Sequence, residues 1–207
     1  MKIICVGLNY QEHNREMGRA DSATSDNPVI FIKPDSALLK DNKPFFIPDF
    51  SNDIHYELEI VVRINRLGKN IAERFAHRYY DELTVGIDFT ARDLQSELKS
   101  KGLPWELSKG FDYSAAIGEF IPKEEFSGSM DNLNFELHKN GNQVQIGNSS
   151  DMIHSVDKII DYVSRFFTLK IGDIIFTGTP AGVGRVDIDD HLEGFLENKK
   201  LFDFYVR

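Results

Sequence analysis

Apolar residues in this chain come mostly in short β-branched runs broken by Pro, Gly, Asn and Asp, a pattern of strands more than of long helices. Ile3 to Val6 reads as a strand that ends at Gly7 and gives way to a turn or helix start at Asn9. Val29 to Ile32 is a second strand, stopped by Lys33-Pro34, and residues 41–53 read as a loop with short extended pieces. A strand over 56–64, a helix over 71–81 and a buried strand over 84–89 follow. Thr90-Ala91-Arg92-Asp93 matches a capping box, so Thr90 is expected to cap a helix running to about Lys99. Asn140-Gly141 between alternating segments predicts a hairpin. Ser149 or Ser150 is expected to cap a helix that buries Met152, Ile153, Val156, Ile159, Ile160, Val163 and Phe167. Strand candidates at 173–177, 194–197 and 200–206 close the chain. With no repeat, linker or low-complexity tract, the expected fold class is α+β, β-dominated, in one domain over residues 1–207.

One of these strands carries an anomaly. In His55-Tyr56-Glu57-Leu58-Glu59-Ile60, period-two alternation puts Glu57 and Glu59 on one face and Leu58 and Ile60 on the other. The two carboxylates would lie about 6.6 Å apart along the strand and repel by roughly 2–3 kcal/mol at an effective dielectric near 20. A solvated polar face tolerates that; a pocket requires a cation. Asp88, bracketed by Ile87 and Phe89 in the second strand, favours the pocket, because acidic residues are depleted in strand interiors. Three carboxylates with no partner cysteine or metal-spaced histidine pair suit a hard cation, Mg2+ or Mn2+ first and Ca2+ second, and disfavour zinc.

Composition narrows the setting. The 24 basic against 33 acidic residues give a net charge of −9, and no Lys/Arg cluster offers a footprint for nucleic acid or an anionic membrane. A small anionic substrate needs only local positive charge, from a metal, Lys109 or Arg92. The single Cys5, inside Ile3-Ile4-Cys5-Val6, is expected to be a packed thiol and fits a reducing cytoplasm. No stretch has the apolar length of a signal peptide or a membrane span, so a cytoplasmic protein is expected.

Other constellations carry chemistry as well as bland readings. His13 and Glu16 stand three residues apart, on one face if helical, where the carboxylate can orient the imidazole as a general base; an ordinary surface ion pair has the same spacing. The strand running into Thr177-Gly178-Thr179-Pro180-Ala181-Gly182-Val183-Gly184 could cradle a carboxylate on its peptide N–H groups and the Thr179 hydroxyl, or simply turn tightly. It is neither a P-loop nor a dinucleotide fingerprint. Lys109, between Ser108 and Gly110-Phe111, is either partly desolvated or an exposed loop lysine. His55, His77, His138, His154 and His191 show no comparable partner nearby and receive no chemistry.

Taken together, these segments resemble the fumarylacetoacetate hydrolase family, in its small acylpyruvase and oxaloacetate decarboxylase-like branch. The resemblance rests on Gly7-Leu8-Asn9-Tyr10 with His13 and Glu16, His55-Tyr56-Glu57-Leu58-Glu59, Asp88 to Gln95, Lys101 to Trp105, Lys109 to Asp112, and Gly172 to Gly184, in family order. Leu8 stands where some acylpyruvases carry Arg, which loosens the branch assignment. The resemblance implies a twisted, barrel-like β-roll, a homodimer, and Mg2+ or Mn2+ on Glu57, Glu59 and Asp88, with Ca2+ able to substitute. It implies 2-oxo acid substrates held by Arg92, Gln95, Lys109, Thr179 and Gly178, with His13 and Glu16 activating water. The implied reaction cleaves a carbon–carbon bond through an enolate to give pyruvate, by acylpyruvate hydrolysis or oxaloacetate decarboxylation. An isomerase or tautomerase of such acids is the nearest alternative, and a non-catalytic metal-binding protein the alternative of another class. The polar, aperiodic stretch Met17 to Asn27 is expected to be a mobile loop that orders over bound ligand.

Overall fold

In the computed structural model, residues 1–18, 26–126, 130 and 132–207 are described. The central part of the expected Met17–Asn27 lid, residues 19–25, lies outside them. The strand-rich reading holds: an eight-stranded sheet curls around one side of the core. Its order begins with Val29–Lys33, Ile3–Gly7, Ile174–Phe176, Leu58–Ile64 and Tyr80–Asp88, and ends with Ala115–Ile117 and Leu38–Leu39. A four-stranded antiparallel sheet is formed by Asn142–Asn148, Asn134–Lys139, His191–Leu196 and Lys199–Tyr205. The hairpin predicted at Asn140-Gly141 is there, with φ of 54° and 77° at the two turn residues, as a primed turn requires.

The feature that builds the site is a change of sheet. Ile54–Tyr56 pairs antiparallel with Thr90–Ala91 in a small three-stranded sheet, while Leu58–Ile64 pairs antiparallel with Tyr80–Asp88 in the large one. The register is continuous across both, Ile54 opposite Ala91 and Leu58 opposite Ile87, so Glu57 and Asp88 face each other where both chains cross over. The Asp88 N–H donates to the Glu57 carbonyl at 2.9 Å. Phe89 anchors the crossover: its ring stacks on Phe45 at 3.8 Å between centroids and meets Phe204 edge-on.

Several local expectations give way to tertiary contacts. The helix predicted over 71–81 is a single turn, Glu73–Ala76, because Tyr80 already pairs with Ile64 as a strand. The helix Arg92–Ser100 forms as expected, but Thr90 does not cap it: Thr90 is a strand residue opposite His55, and its hydroxyl accepts from Lys109. Instead the Arg92 N–H is taken by the Asp53 carbonyl, and the Asp93 carboxylate gathers Ser51, Asn52 and Leu94. Likewise Ser149 and Ser150 begin only a 3-10 turn; the helix is Val156–Phe166, capped by Ser155. The stretch before it stays extended because the Ile153 and His154 N–H groups are spent on Asn9. That helix buries Val156, Ile159, Ile160 and Val163 as its periodicity predicts. Cys5 is fully buried, a packed thiol. No helix among the described residues is long and apolar enough to cross a membrane.

Candidate active site: a buried carboxylate cluster

Glu57, Glu59 and Asp88 converge as the strand pattern predicts. Their side chains can bring one oxygen each within 4.8 Å of one another, and the residues are 6%, 1% and 0% exposed. Three cations surround them. Lys109, on the short helix Glu106–Lys109, donates to Glu57 at 2.7 Å, Asp88 at 2.8 Å and Thr90 Oγ1 at 2.6 Å. Arg92 donates to Glu57 Oε1 at 2.5 Å and to Gln95 Oε1 at 2.8 Å. Lys33 was read only as the end of its strand, yet it is 0% exposed. Its Nζ lies 2.7 Å from Asp88 Oδ1 and donates to the Ser114 carbonyl and hydroxyl at 2.9 Å each. The Asp88 contact is one of charge, at an angle outside hydrogen-bonding geometry.

The electrostatics divide the three acids. Burial alone would raise the Glu57 carboxyl, but Lys109 and Arg92 outweigh it and hold the group well below the usual carboxylate range. Glu59 goes the other way: burial and the neighbouring Asp88 push it well up, only partly relieved by the Gly178 N–H that donates to Oε2 at 2.6 Å. Among the described residues no cationic side chain pairs with Glu59. A fully buried carboxylate without a counter-cation, beside two more hard oxygen donors, is what a Mg2+- or Mn2+-sized ion fits. Lys109 itself is held charged: burial would lower it, but Asp88 and Glu57 raise it well above the ordinary lysine value.

On the pocket's other side, His13 is buried on the helix Gln11–Glu16 with Nδ1 3.2 Å from Glu16 Oε2. Burial lowers the imidazole from its ordinary value, against the raising influence of Glu57 and Glu16, so it is neutral near pH 7. Glu16 is in turn fixed by the Gly182 N–H, 3.1 Å from Oε1. Gly182 has φ of +97°, and a Cβ there would meet the Val144 carbonyl oxygen at 2.7 Å. Gly182→Ala should therefore lower thermal stability by about 1–3 kcal/mol, measured by thermal unfolding, and loosen the His13 orientation with it.

His13, Glu57, Glu59, Asp88, Arg92, Gln95, Lys109 and Thr179 thus line one small cavity of about 40 Å³, with Glu16 and Gly178 bonded to its walls. Two supports had no legible signal in sequence. Gln145 accepts from the Leu58 N–H at 2.9 Å, beside the crossover, and donates to Thr179 Oγ1 at 3.0 Å. Asn9 donates to the Thr177 carbonyl at 2.7 Å, holding the Gly178 turn. Three histidines assigned no partner do have an acidic one: His55 meets Asp53 at 3.0 Å, His191 meets Asp203 at 2.6 Å and His138 meets Glu136 at 3.5 Å. The half-buried His191–Glu193–Asp203 group is bridged by Lys200, which binds both acids.

The chain belongs to the fumarylacetoacetate hydrolase family. The model of the fumarylacetoacetate (FAA) hydrolase C-terminal region matches residues 2–204. Among curated proteins, the chain is 42% identical over 191 residues to oxaloacetate tautomerase YcgM of Escherichia coli, covering 92% of this chain and 86% of that protein. It is also 42% identical over 204 residues to the mitochondrial oxaloacetate tautomerase of Homo sapiens, covering 99% and 90%. Among solved structures, fumarylpyruvate hydrolase from Pseudomonas aeruginosa, in complex with Mn2+ and pyruvate, superposes with a TM-score of 0.92 at 34% identity, covering 100% of this chain and 89% of that one.

Proposed function

We propose that this protein is a divalent-metal-dependent enzyme that interconverts the keto and enol forms of oxaloacetate or a closely similar 2-oxo dicarboxylate. The observation that carries this reading is the single pocket shared by the buried Glu57–Glu59–Asp88 cluster, the cations Arg92 and Lys109, and the His13–Glu16 pair. Mg2+ or Mn2+ on Glu57, Glu59 and Asp88 would supply Lewis acidity, polarising the substrate's 2-oxo group and favouring its enol form.

The chain's own groups account for the rest. The three carboxylates balance Lys33, Lys109 and Arg92, so a dication held among them would add net positive charge that draws an anionic substrate. Lys109, held charged, binds an anionic oxygen and does not accept a proton. His13 has Nδ1 engaged by Glu16, which leaves Nε2 to take the proton from the carbon beside the oxo group. It delivers that proton to the oxo oxygen as the C–H electrons form the C=C bond, and carries it back to carbon in the reverse direction. The Thr179 hydroxyl, on a turn braced by Gln145 and Asn9, orients the substrate carboxylate. The likeness to two proteins named oxaloacetate tautomerase supports enolisation over carbon–carbon cleavage.

A second reading, hydrolysis of an acylpyruvate to pyruvate and an acid, is favoured by the same His13–Glu16 pair, since an oriented neutral imidazole also activates water. Decarboxylation of oxaloacetate would use the same pocket with no attacking water. Ketonisation of enol-oxaloacetate, followed by its ultraviolet absorbance, tests the leading reading: the protein should accelerate it, EDTA should abolish the acceleration, and Mg2+ or Mn2+ should restore it. Pyruvate release from acetylpyruvate faster than that ketonisation would put hydrolysis first. A folded, metal-loaded protein inactive in both assays would sink both readings.

A further inference from the structure

One wall of the pocket holds a strained residue. Leu8 lines the cavity with φ of +63°, in the left-handed region that an L side chain rarely adopts. The other described non-glycine residues with positive φ stand outside the cavity lining, nearly all of them exposed and most of them Asn or Asp. Those short polar side chains bond locally and tolerate the conformation, whereas a leucine has no such bond to make. The turn around Leu8 is fixed from both sides. Asn14, fully buried, donates to the Leu8 carbonyl at 3.0 Å. Asn9, also buried, donates to the carbonyls of Thr177 at 2.7 Å and His154 at 3.0 Å. Glycine would take this φ without strain. What the strained position adds to the pocket is therefore an isobutyl group.

That group borders the space beyond the carboxylate cluster. The Phe31 ring centroid lies 5.3 Å from Lys109 Nζ, and Phe31 meets Trp105 edge-on at 6.2 Å, so an aromatic wall leads outward from the cluster. Gly7 abuts the indole, since a Cβ there would meet Trp105 Cζ3 at 3.8 Å. Leu8 follows directly in the chain. Leu8, Met17, Phe31 and Trp105 offer no charge to a 2-oxo acid head, which the cluster and its cations are placed to hold. Resting on the 2-oxo acid reading above, we propose that Leu8 is a specificity-determining residue: its side chain, fixed by the pinned turn, caps the space open to the substrate's tail. The pocket thereby takes 2-oxo acids with short tails, oxaloacetate among them, and rejects bulky ones. One methylene too many in such a pocket is worth about 10–200-fold in discrimination.

The test uses the full chain loaded with Mn2+, with the fluorescence of Trp105, the single tryptophan, reporting binding. Two ligands share the 2-oxo acid head: pyruvate, whose tail is a methyl group, and 2-oxo-4-phenylbutyrate, whose tail carries a phenyl ring. The wild type should bind pyruvate and bind the phenyl ligand about tenfold or more weakly by comparison. Leu8→Ala keeps a Cβ at the same φ, and so the same turn, while removing the cap. In it the Kd of the phenyl ligand should fall about tenfold, equivalent to ~1.4 kcal/mol, while that of pyruvate moves by less than about twofold. Leu8→Gly should show the same gain, with a melting temperature no lower than that of Leu8→Ala, because glycine relieves the strain. A gain confined to Leu8→Gly overturns the inference, since it marks a loosened turn and not an opened wall. Equal shifts for both ligands overturn it as well, marking a general change of the pocket. A wild type that binds neither ligand overturns the 2-oxo acid reading and this inference with it. A wild type that binds pyruvate, with an unchanged phenyl-ligand Kd in Leu8→Ala or no preference between the two ligands, overturns the inference alone.

Discussion

Replacing Glu59 by Gln should raise the melting temperature of the EDTA-treated protein and, in the same variant, abolish the stabilisation that Mn2+ gives the wild type. Glu59 is the one acid of the cluster whose carboxyl is pushed up, by burial and by Asp88, and the Gly178 N–H and the charge of Lys109 only partly offset it. Without metal, the folded state holds a proton there that the unfolded chain releases above about pH 4.5. Stability is therefore lost as pH rises through that range. Gln keeps the oxygen that accepts from the Gly178 N–H and removes the ionisation, so the metal-free fold gains, at about 2–4 °C per kcal/mol for a chain of this size. The same change deletes a hard anionic ligand. Mn2+ at 100 times its dissociation constant would stabilise the wild type by about 2.7 kcal/mol; in Glu59→Gln that gain should vanish. Loss of Lewis-acid stabilisation worth several kcal/mol should lower turnover by about 10³-fold or more.

Asp88→Asn should show the opposite sign in the metal-free protein. Asp88 is the charge partner of the fully buried Lys33 and one of two charge partners of Lys109. Removing it leaves Lys33 an uncompensated buried cation, a cost of about 3–5 kcal/mol. Differential scanning fluorimetry of wild type, Glu59→Gln and Asp88→Asn, each with EDTA and with Mn2+, reads both effects. A Glu59→Gln protein that keeps the full wild-type response to Mn2+ would place the ion elsewhere.

The contrast between Asp88 and Lys33 also marks where sequence reasoning works and where it stops. Glu57, Glu59 and Asp88 stood out because each breaks a strong local expectation, an acid inside an apolar strand, and their convergence follows from period-two alternation. His13 and Glu16 meet through helical spacing alone. Lys33 breaks no local rule, since a lysine before Pro34 is an ordinary strand end. Its importance lies in Asp88, Lys109 and Ser114, more than fifty residues away. Gln145 and Asn9 are invisible for the same reason: their partners, Leu58, Thr179 and Thr177, come from distant strands. Thr90 shows the converse error. Its local capping signal is genuine, but pairing with His55 and the bond from Lys109 claim the residue first. The crossover at Glu57 likewise depends on two sheets being present, which no single segment announces.

His13→Gln should spare the metal and remove the chemistry. Glutamine fills similar space and can still bond to Glu16, but it cannot exchange a proton, and loss of a general base costs about 10²–10⁴ in kcat. The Mn2+-induced rise in melting temperature should remain, because His13 is not among the cluster carboxylates. The pH profile supplies an independent signature. Burial holds the imidazole below its ordinary value of 6.5, so the active neutral form persists at neutral pH. Activity should fall only as pH drops through a midpoint below 6.5, and that acid limb should be absent from the residual activity of His13→Gln. Comparing two substrates then assigns the role. If enol-oxaloacetate ketonisation and acetylpyruvate hydrolysis both collapse, His13 serves as the common proton carrier. If only hydrolysis collapses, His13 activates water and the proton on carbon is moved by another group. If neither falls, the His13–Glu16 pair is structural, and the mechanism proposed here loses its base.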